Sequence, residues 1–313
     1  MDVTGPAGTD WSDYFTQHGY AHAELLGRGM EGVVYALGDG LVGKVWLNRS
    51  ADELQLLKEF YRELSAQPLP FSTPEILDVQ TLKSSAVTIE RELTGRLLLE
   101  ALRAGEVSVE SAQECVVTVL KGLEMTTGGP ASRALPVLNE TEPLWRGHAT
   151  WGEAMSALAQ RRVDAYGDQL RAAVAHFDAK AECIIGLAGQ IPSSTTQTIH
   201  GDVCPENILI DAAGQPMVLL DWGFLTTEGD FAFDAATAAG FFDMYSPNAR
   251  RRDDALMRTI SDTFGYLHER LLLYRALYAV IGSSAYDASG QDDHFAWCAA
   301  QLNREDIIDT LMS

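Results

Sequence analysis

Apolar residues along the first ninety positions fall into short runs bounded by turn residues, the pattern of strands. Residues 23–26 and 33–35 are two such runs on either side of a Gly-x-Gly-x-x-Gly segment, Gly27, Gly29 and Gly32. Asp39-Gly40 is a strong hairpin turn, and residues 41–46 form a third strand that carries Lys44 among apolar neighbours. Ser50 and Glu53 make a capping box and open a helix over 51–66, with Leu54, Leu57, Phe60, Tyr61 and Leu64 on its apolar side. Residues 74–79 and 86–90 read as two more strands, five in all. A short helix is expected over 11–18, and residues 1–10, small and polar, are expected to fray. Beyond residue 93 helical spacing dominates, over 108–125, 151–187 (in one piece or two), 249–281 and 293–312. Residues 126–150 read as an irregular insert.

One stretch of the second half breaks the helical spacing. His200-Gly201-Asp202 is followed by Asn207, an apolar run over 208–210, a turn at Ala213-Gly214, and a second apolar run that ends at Asp221-Trp222-Gly223. The two runs form a hairpin, which brings Asp202, Asn207 and Asp221 to one end of a small sheet. Carboxylate and amide oxygens are the ligands a hard cation such as Mg²⁺ selects. An aspartate beside such a site can receive the proton of an attacking hydroxyl.

The chain has 313 residues, 46% of them hydrophobic, enough for a large core in two lobes. No window holds eighteen apolar residues, so no transmembrane helix is expected. The first twenty residues carry no Lys or Arg and no apolar run, so no secretory signal is expected. Four scattered cysteines, with no Cys-x-x-Cys pair, fit a reduced, cytoplasmic protein without structural zinc. The net charge of −21 argues against nucleic acid as a partner and would draw a cationic small molecule.

Taken together, Gly27, Gly29 and Gly32, Lys44, the His200-Gly201-Asp202 loop with Asn207, and Asp221-Trp222-Gly223 resemble the protein-kinase-like fold in the form found in the aminoglycoside phosphotransferase family. Gly201 stands where a protein kinase has Arg, and no Ala-Pro-Glu segment follows Asp221, which points away from a protein substrate. The resemblance implies a two-lobed α+β fold. Residues 1–92 would form an N-terminal lobe of five antiparallel strands and one main helix, and residues 93–313 a mostly helical C-terminal lobe.

It further implies that Gly27, Gly29 and Gly32 cover the phosphates of ATP or GTP and that Lys44 holds them. Glu59, in the middle of the 51–66 helix, would orient Lys44, with Glu63 as the competing candidate. Arg91 and Leu93 lie on a segment, residues 90–95, that resembles the family's hinge, where backbone groups would hold the base. Asn207 and Asp221 would hold Mg²⁺ and Asp202 would act as the catalytic carboxylate. His200 and Asp234 are structural in this family, and Cys204 is read as a packing residue. The expected substrate is a small cationic acceptor, an aminoglycoside or a basic peptide antibiotic, met by acids and aromatics of the C-terminal helices. A metabolic kinase for choline, an amino alcohol or an amino sugar, and a non-catalytic nucleotide binder, are the other readings. The protein is expected to be a monomer that binds neither nucleic acid nor membrane.

Overall fold

The computed structural model describes residues 10–29, 31–82, 85–192 and 196–312. Of the residues expected to fray, all but Asp10 lie outside these. A short helix α1 (Ser12–Gln17) precedes three strands, β1 (Glu24–Arg28), β2 (Gly32–Gly38) and β3 (Leu41–Trp46). Helix α2 (Ala51–Ser65) follows, then β4 (Ile76–Thr81) and β5 (Ala86–Arg91). The five strands pair antiparallel in the order β1-β2-β3-β5-β4. The capping box at Ser50 and Glu53 is formed, and α2 buries the five apolar residues its spacing marks out.

Alternation gives this sheet two unlike faces. On one, Val33, Tyr35, Leu37, Val45, Val87 and Ile89 pack with Phe15 of α1 into a separate small core. Gly43 lies under Phe15, where a Cβ would collide with the ring. The other face carries Lys44 and, in register with it, Thr88.

After β5 the chain enters β6 (Arg96–Leu97), which joins a different sheet, followed by α3 (Leu98–Arg103) and α4 (Val109–Glu124). The segment expected to be irregular contains one short helix, α5 (Pro130–Ala134), which starts on a proline at a position where no N–H is needed. The long helical stretch is two helices, α6 (Trp151–Ala173) and α7 (Phe177–Gly189), broken where His176 takes a left-handed conformation. Strand β7 (Gln197–Ile199) precedes the hairpin β8 (Ile208–Ile210) and β9 (Pro216–Leu219), and β10 (Thr227–Gly229) returns to pair with β7. Helices α8 (Ala232–Phe241), α9 (Ala249–Phe264), α10 (His268–Ile281), α11 (Asp293–Leu302) and α12 (Glu305–Met312) complete the chain.

These last helices are joined by a buried charge network. Arg275 of α10 is wholly buried; it donates to both carboxylate oxygens of Asp253 (2.9 and 3.0 Å) and to the carbonyl of Ala236 (2.7 Å). Arg304 reaches the same carboxylate at 2.7 Å. Burial pushes the Asp253 carboxyl up, but the two arginines more than offset it and hold it below the usual carboxylate range. Asp253→Ala would leave a buried guanidinium without its counter-charge, and is expected to lower stability by about 3–5 kcal/mol. Chemical denaturation compared with the wild type measures that loss.

Candidate active site

His200 follows β7 and Asp202 lies two residues on, in a loop tied from both sides. The backbone N–H groups of His200 and Gly201 donate to the two oxygens of Asp234, at 2.7 and 2.8 Å. Asp234 lies in the first turn of α8 but makes no cap; its carboxylate serves the loop instead. Burial pushes its carboxyl up to about 7, against the pull of the two N–H donors. Gly201 has φ +83°, and a Cβ there would run into Leu225. Both facts call for glycine at this position.

His200 is fully buried, with its ring edge-on to Trp222 at 4.4 Å between centroids. The N–H of Asp202 donates to Nδ1 (3.1 Å), so the proton of the neutral ring sits on Nε2, which faces the carbonyl of Leu220 at 2.8 Å. Burial lowers its pKa to about 4. Both nitrogens are engaged by backbone, and the ring is a strut between the loop and the end of β9, with no lone pair left for a substrate.

Asp202 is half-buried. Asn207 Nδ2 donates to its carbonyl (2.9 Å) and to its Oδ2 (3.0 Å). Burial pushes the Asp202 carboxyl up to about 7; the Asn207 bond opposes this, and the charges of Asp221 and Glu206 add to it. Because Asn207 turns its amide nitrogen to Asp202, its Oδ1 is the atom left to a cation. Leu220 N donates to the Asn207 carbonyl at 2.8 Å, which ties the two ends of the hairpin together. Asp221 follows at the open end, exposed and in the left-handed region (φ 55°), before Trp222 turns inward against Phe60 of α2. An amide oxygen and an exposed carboxylate suit Mg²⁺, which is commonly held by one or two carboxylates together with phosphate oxygens.

Around the glycine segment the three glycines differ. Nothing stands within 4 Å of a Cβ built at Gly27 or Gly29, whereas one at Gly32 would strike the Val45 carbonyl, so Gly32 is required by close packing of β2 on β3. Lys44 Nζ lies 2.7 Å from Glu31 Oε2 and 3.5 Å from the centroid of the Trp46 ring. Among the described residues no ion pair joins Glu59 to Lys44, and Glu59 is exposed. The reason is helical spacing: Glu59 is about 200° around the helix from Leu57, which faces the core. Glu63 is likewise occupied, accepting from Ala131 N at 3.1 Å. Arg91 gives its N–H to the Glu75 carbonyl (3.1 Å) and its side chain to the Glu75 carboxylate (3.3 Å), and Leu93 is half-buried on the link to β6.

The amino-acid sequence matches the model of the phosphotransferase enzyme family, APH, over residues 22–272. The chain belongs to this family. No protein of curated function matches it in sequence. Solved structures share the fold at low identity. The GDP complex of wild-type aminoglycoside 2'-phosphotransferase-IIIa is 14% identical with a TM-score of 0.62, covering 93% of this chain and 96% of its own. Aminoglycoside phosphotransferase APH(3'')-Id from Streptomyces rimosus is 16% identical with a TM-score of 0.57, over 86% and 96%. Macrolide 2'-phosphotransferase MphH from Brachybacterium faecium is 16% identical with a TM-score of 0.55, over 93% and 97%. The expected α+β, kinase-like architecture and the assignment to phosphotransferases hold.

Three residues of this phosphotransferase escape a reading by motif. Glu31 lies inside the glycine segment. Arg49, on the link from β3 to α2, pairs with Glu31 at 3.1 Å. Glu90 is half-buried near the front of the sheet, where burial pushes its carboxyl up and Lys44 pulls it back. For Glu31 and Arg49 the available signal was an acid directly before a strand and a basic residue directly before a capping box. Both patterns are common on protein surfaces.

Two measurements check this geometry. Asp234→Ala strands two buried N–H donors and should cost about 2–6 kcal/mol of stability, at about 1–3 kcal/mol each, read by denaturant unfolding. The ring of His200 should stay neutral from pH 8 down to pH 5, so its NMR resonances should show no inflection over that range.

Proposed function

We propose that this phosphotransferase is a small-molecule kinase that moves the γ-phosphate of ATP or GTP to a hydroxyl of a cationic acceptor, an aminoglycoside or a similarly basic antibiotic. The observation that carries this reading is the clamp on Asp202, whose backbone is held by His200 and whose carboxylate is held by Asn207, in a chain of this family. Asp202 accepts or orients the proton of the acceptor hydroxyl. Lys44 holds phosphate oxygens beneath the segment of Gly27, Gly29 and Gly32, and Arg91 and Leu93 flank the purine at the junction of the two lobes, 1–92 and 93–313. Asn207 Oδ1 and Asp221 hold Mg²⁺, which when bound supplies charge neutralisation to the phosphates. The residues around the reacting groups therefore act by position and by charge, as phosphoryl transfer requires. Solved neighbours of the fold in complex with GDP and ADP support a purine nucleotide.

The acceptor side narrows on inspection. Several acids of the C-terminal half already have partners within the protein: Asp253 as above, Asp230 with Arg270 and Tyr274, Glu228 with Arg133, and Asp243 with Arg252. A cavity of about 730 Å³ is lined by Cys204, Pro205, Glu206, Phe242 and Tyr245, on the stretch that follows Asp202 in the chain. Glu206, Asp293 and Tyr245 are exposed, and Tyr286, exposed too, stacks on Phe224 at 5.6 Å. Exposed acids suit ammonium groups, and open aromatic faces suit sugars or a quaternary amine. The aromatic faces also keep choline or an amino alcohol in view as a second acceptor class. Among the described residues no helix is long and apolar enough to cross a membrane, and a cytoplasmic monomer is part of this reading.

The test is Mg²⁺-dependent release of ADP or GDP with a panel of aminoglycosides, basic peptide antibiotics, macrolides, choline and amino sugars. One class should stimulate release, and Asp202→Ala should lower kcat by about a hundredfold to ten-thousandfold, with nucleotide binding largely kept. Near-normal kcat in the variant, or no stimulation by any acceptor, would sink the reading.

A further inference from the structure

We propose that Arg49 is a second phosphate-binding cation working beside Lys44, and that Glu31 holds the two together as an internal stand-in for phosphate until nucleotide arrives. The inference rests on the kinase reading above. The Glu31 carboxylate bridges cations from two different elements, with Oε2 at 2.7 Å from Lys44 Nζ and Oε1 at 3.1 Å from Arg49 Nη2. Both cations also approach the Trp46 ring, at 3.5 and 5.4 Å from its centroid. They are withdrawn from solvent, 17% and 22% exposed, while Glu31 is 40% exposed. Two converging cations repel unless an anion lies between them, and here one carboxylate serves both.

The Arg49 guanidinium reaches further. It lies against Gly223, where a Cβ would come within 2.7 Å of Nη1, two residues past Asp221. It thus spans from the glycine segment to the loop that carries the second metal ligand, the path a polyphosphate would follow. A planar guanidinium can meet two phosphate oxygens at once, which a carboxylate bridge imitates. Glu31 is suited to leave, because it sits on the glycine segment and its pairs are partly solvated and therefore weak. No carboxylate of α2 pairs with Lys44, so Glu31 is the only ion-pair partner of Lys44 among the described residues.

The competing explanation is that Arg49 merely braces the Asp221 loop. The two are separated by calorimetric titration of the full chain with Mg²⁺ and ADP or GDP, and with adenosine or guanosine, for the wild type, Arg49→Gln and Glu31→Gln. Arg49→Gln should weaken the diphosphate by about tenfold, the loss of one charge-assisted contact, and leave the nucleoside unchanged. Glu31→Gln should tighten the diphosphate several-fold, about the strength of a half-exposed ion pair, and also leave the nucleoside unchanged. Equal weakening of diphosphate and nucleoside in Arg49→Gln, or unchanged diphosphate affinity in it, overturns the proposal. If Arg49→Gln does not fold, Glu31→Gln decides alone, and unchanged or weaker diphosphate binding overturns it. A wild-type protein that binds neither ADP nor GDP overturns the kinase reading and this inference together.

Discussion

Two backbone N–H groups, those of His200 and Gly201, point at one buried carboxylate, and the chemistry of the site hangs on that arrangement. Asp234 belongs to α8, a helix packed on all sides, so the loop inherits the helix's fixed position. From there the order is passed on. The loop sets His200, His200 meets the N–H of Asp202 and the carbonyl of Leu220, and Asn207 closes on Asp202. Each contact uses a group that burial would otherwise leave unsatisfied. The carboxylate that would touch substrate is thus positioned by groups that touch none.

This dependence explains what could be read in the chain beforehand and what could not. The strands, the helix opened by Ser50 and the oxygen-bearing residues of the hairpin were legible because each rests on local signals: alternation, a capping box, a turn, a fixed spacing. The site loop was legible because its geometry needs particular residues, such as a glycine at Gly201 where a side chain would strike Leu225. The partner of Lys44 was not legible. Counting along the chain pointed to Glu59, while the apolar spacing of the same helix already placed Glu59 on the opposite side from Leu57 and Tyr61. The second signal was the physical one, since a helix buries its apolar side wherever the middle of the helix falls. Glu31 and Arg49 meet only through tertiary structure, and no local pattern announces such a pair.

The acids of the C-terminal half teach a related lesson. Their abundance suggested a strongly anionic acceptor region, yet Asp230, Asp253, Asp243 and Glu228 each neutralise an arginine within the fold. A charge whose partner is internal does little to attract a ligand. Of those that are exposed and in no ion pair among the described residues, Glu206 and Asp293 lie near the Cys204 loop and the start of α11, while Asp262, Glu269, Glu305 and Asp309 are spread over α9, α10 and α12.

The two apolar cores also divide the molecule in an unexpected way. The back of the five-stranded sheet has its own core around Phe15, whereas the buried residues of α2 belong to the large core that runs through the C-terminal helices. The front of the sheet joins that same large core through Trp46, Ile76 and Ala86, so sheet and α2 are fastened to the C-terminal helices together. Lys44, Glu31 and Arg49 meet beside Trp46 at the border of this packing, and an exchange of partners among them would leave the apolar contacts untouched. Charge can thus be rearranged at the rim of the sheet while the apolar frame under the Asp202 loop stays still.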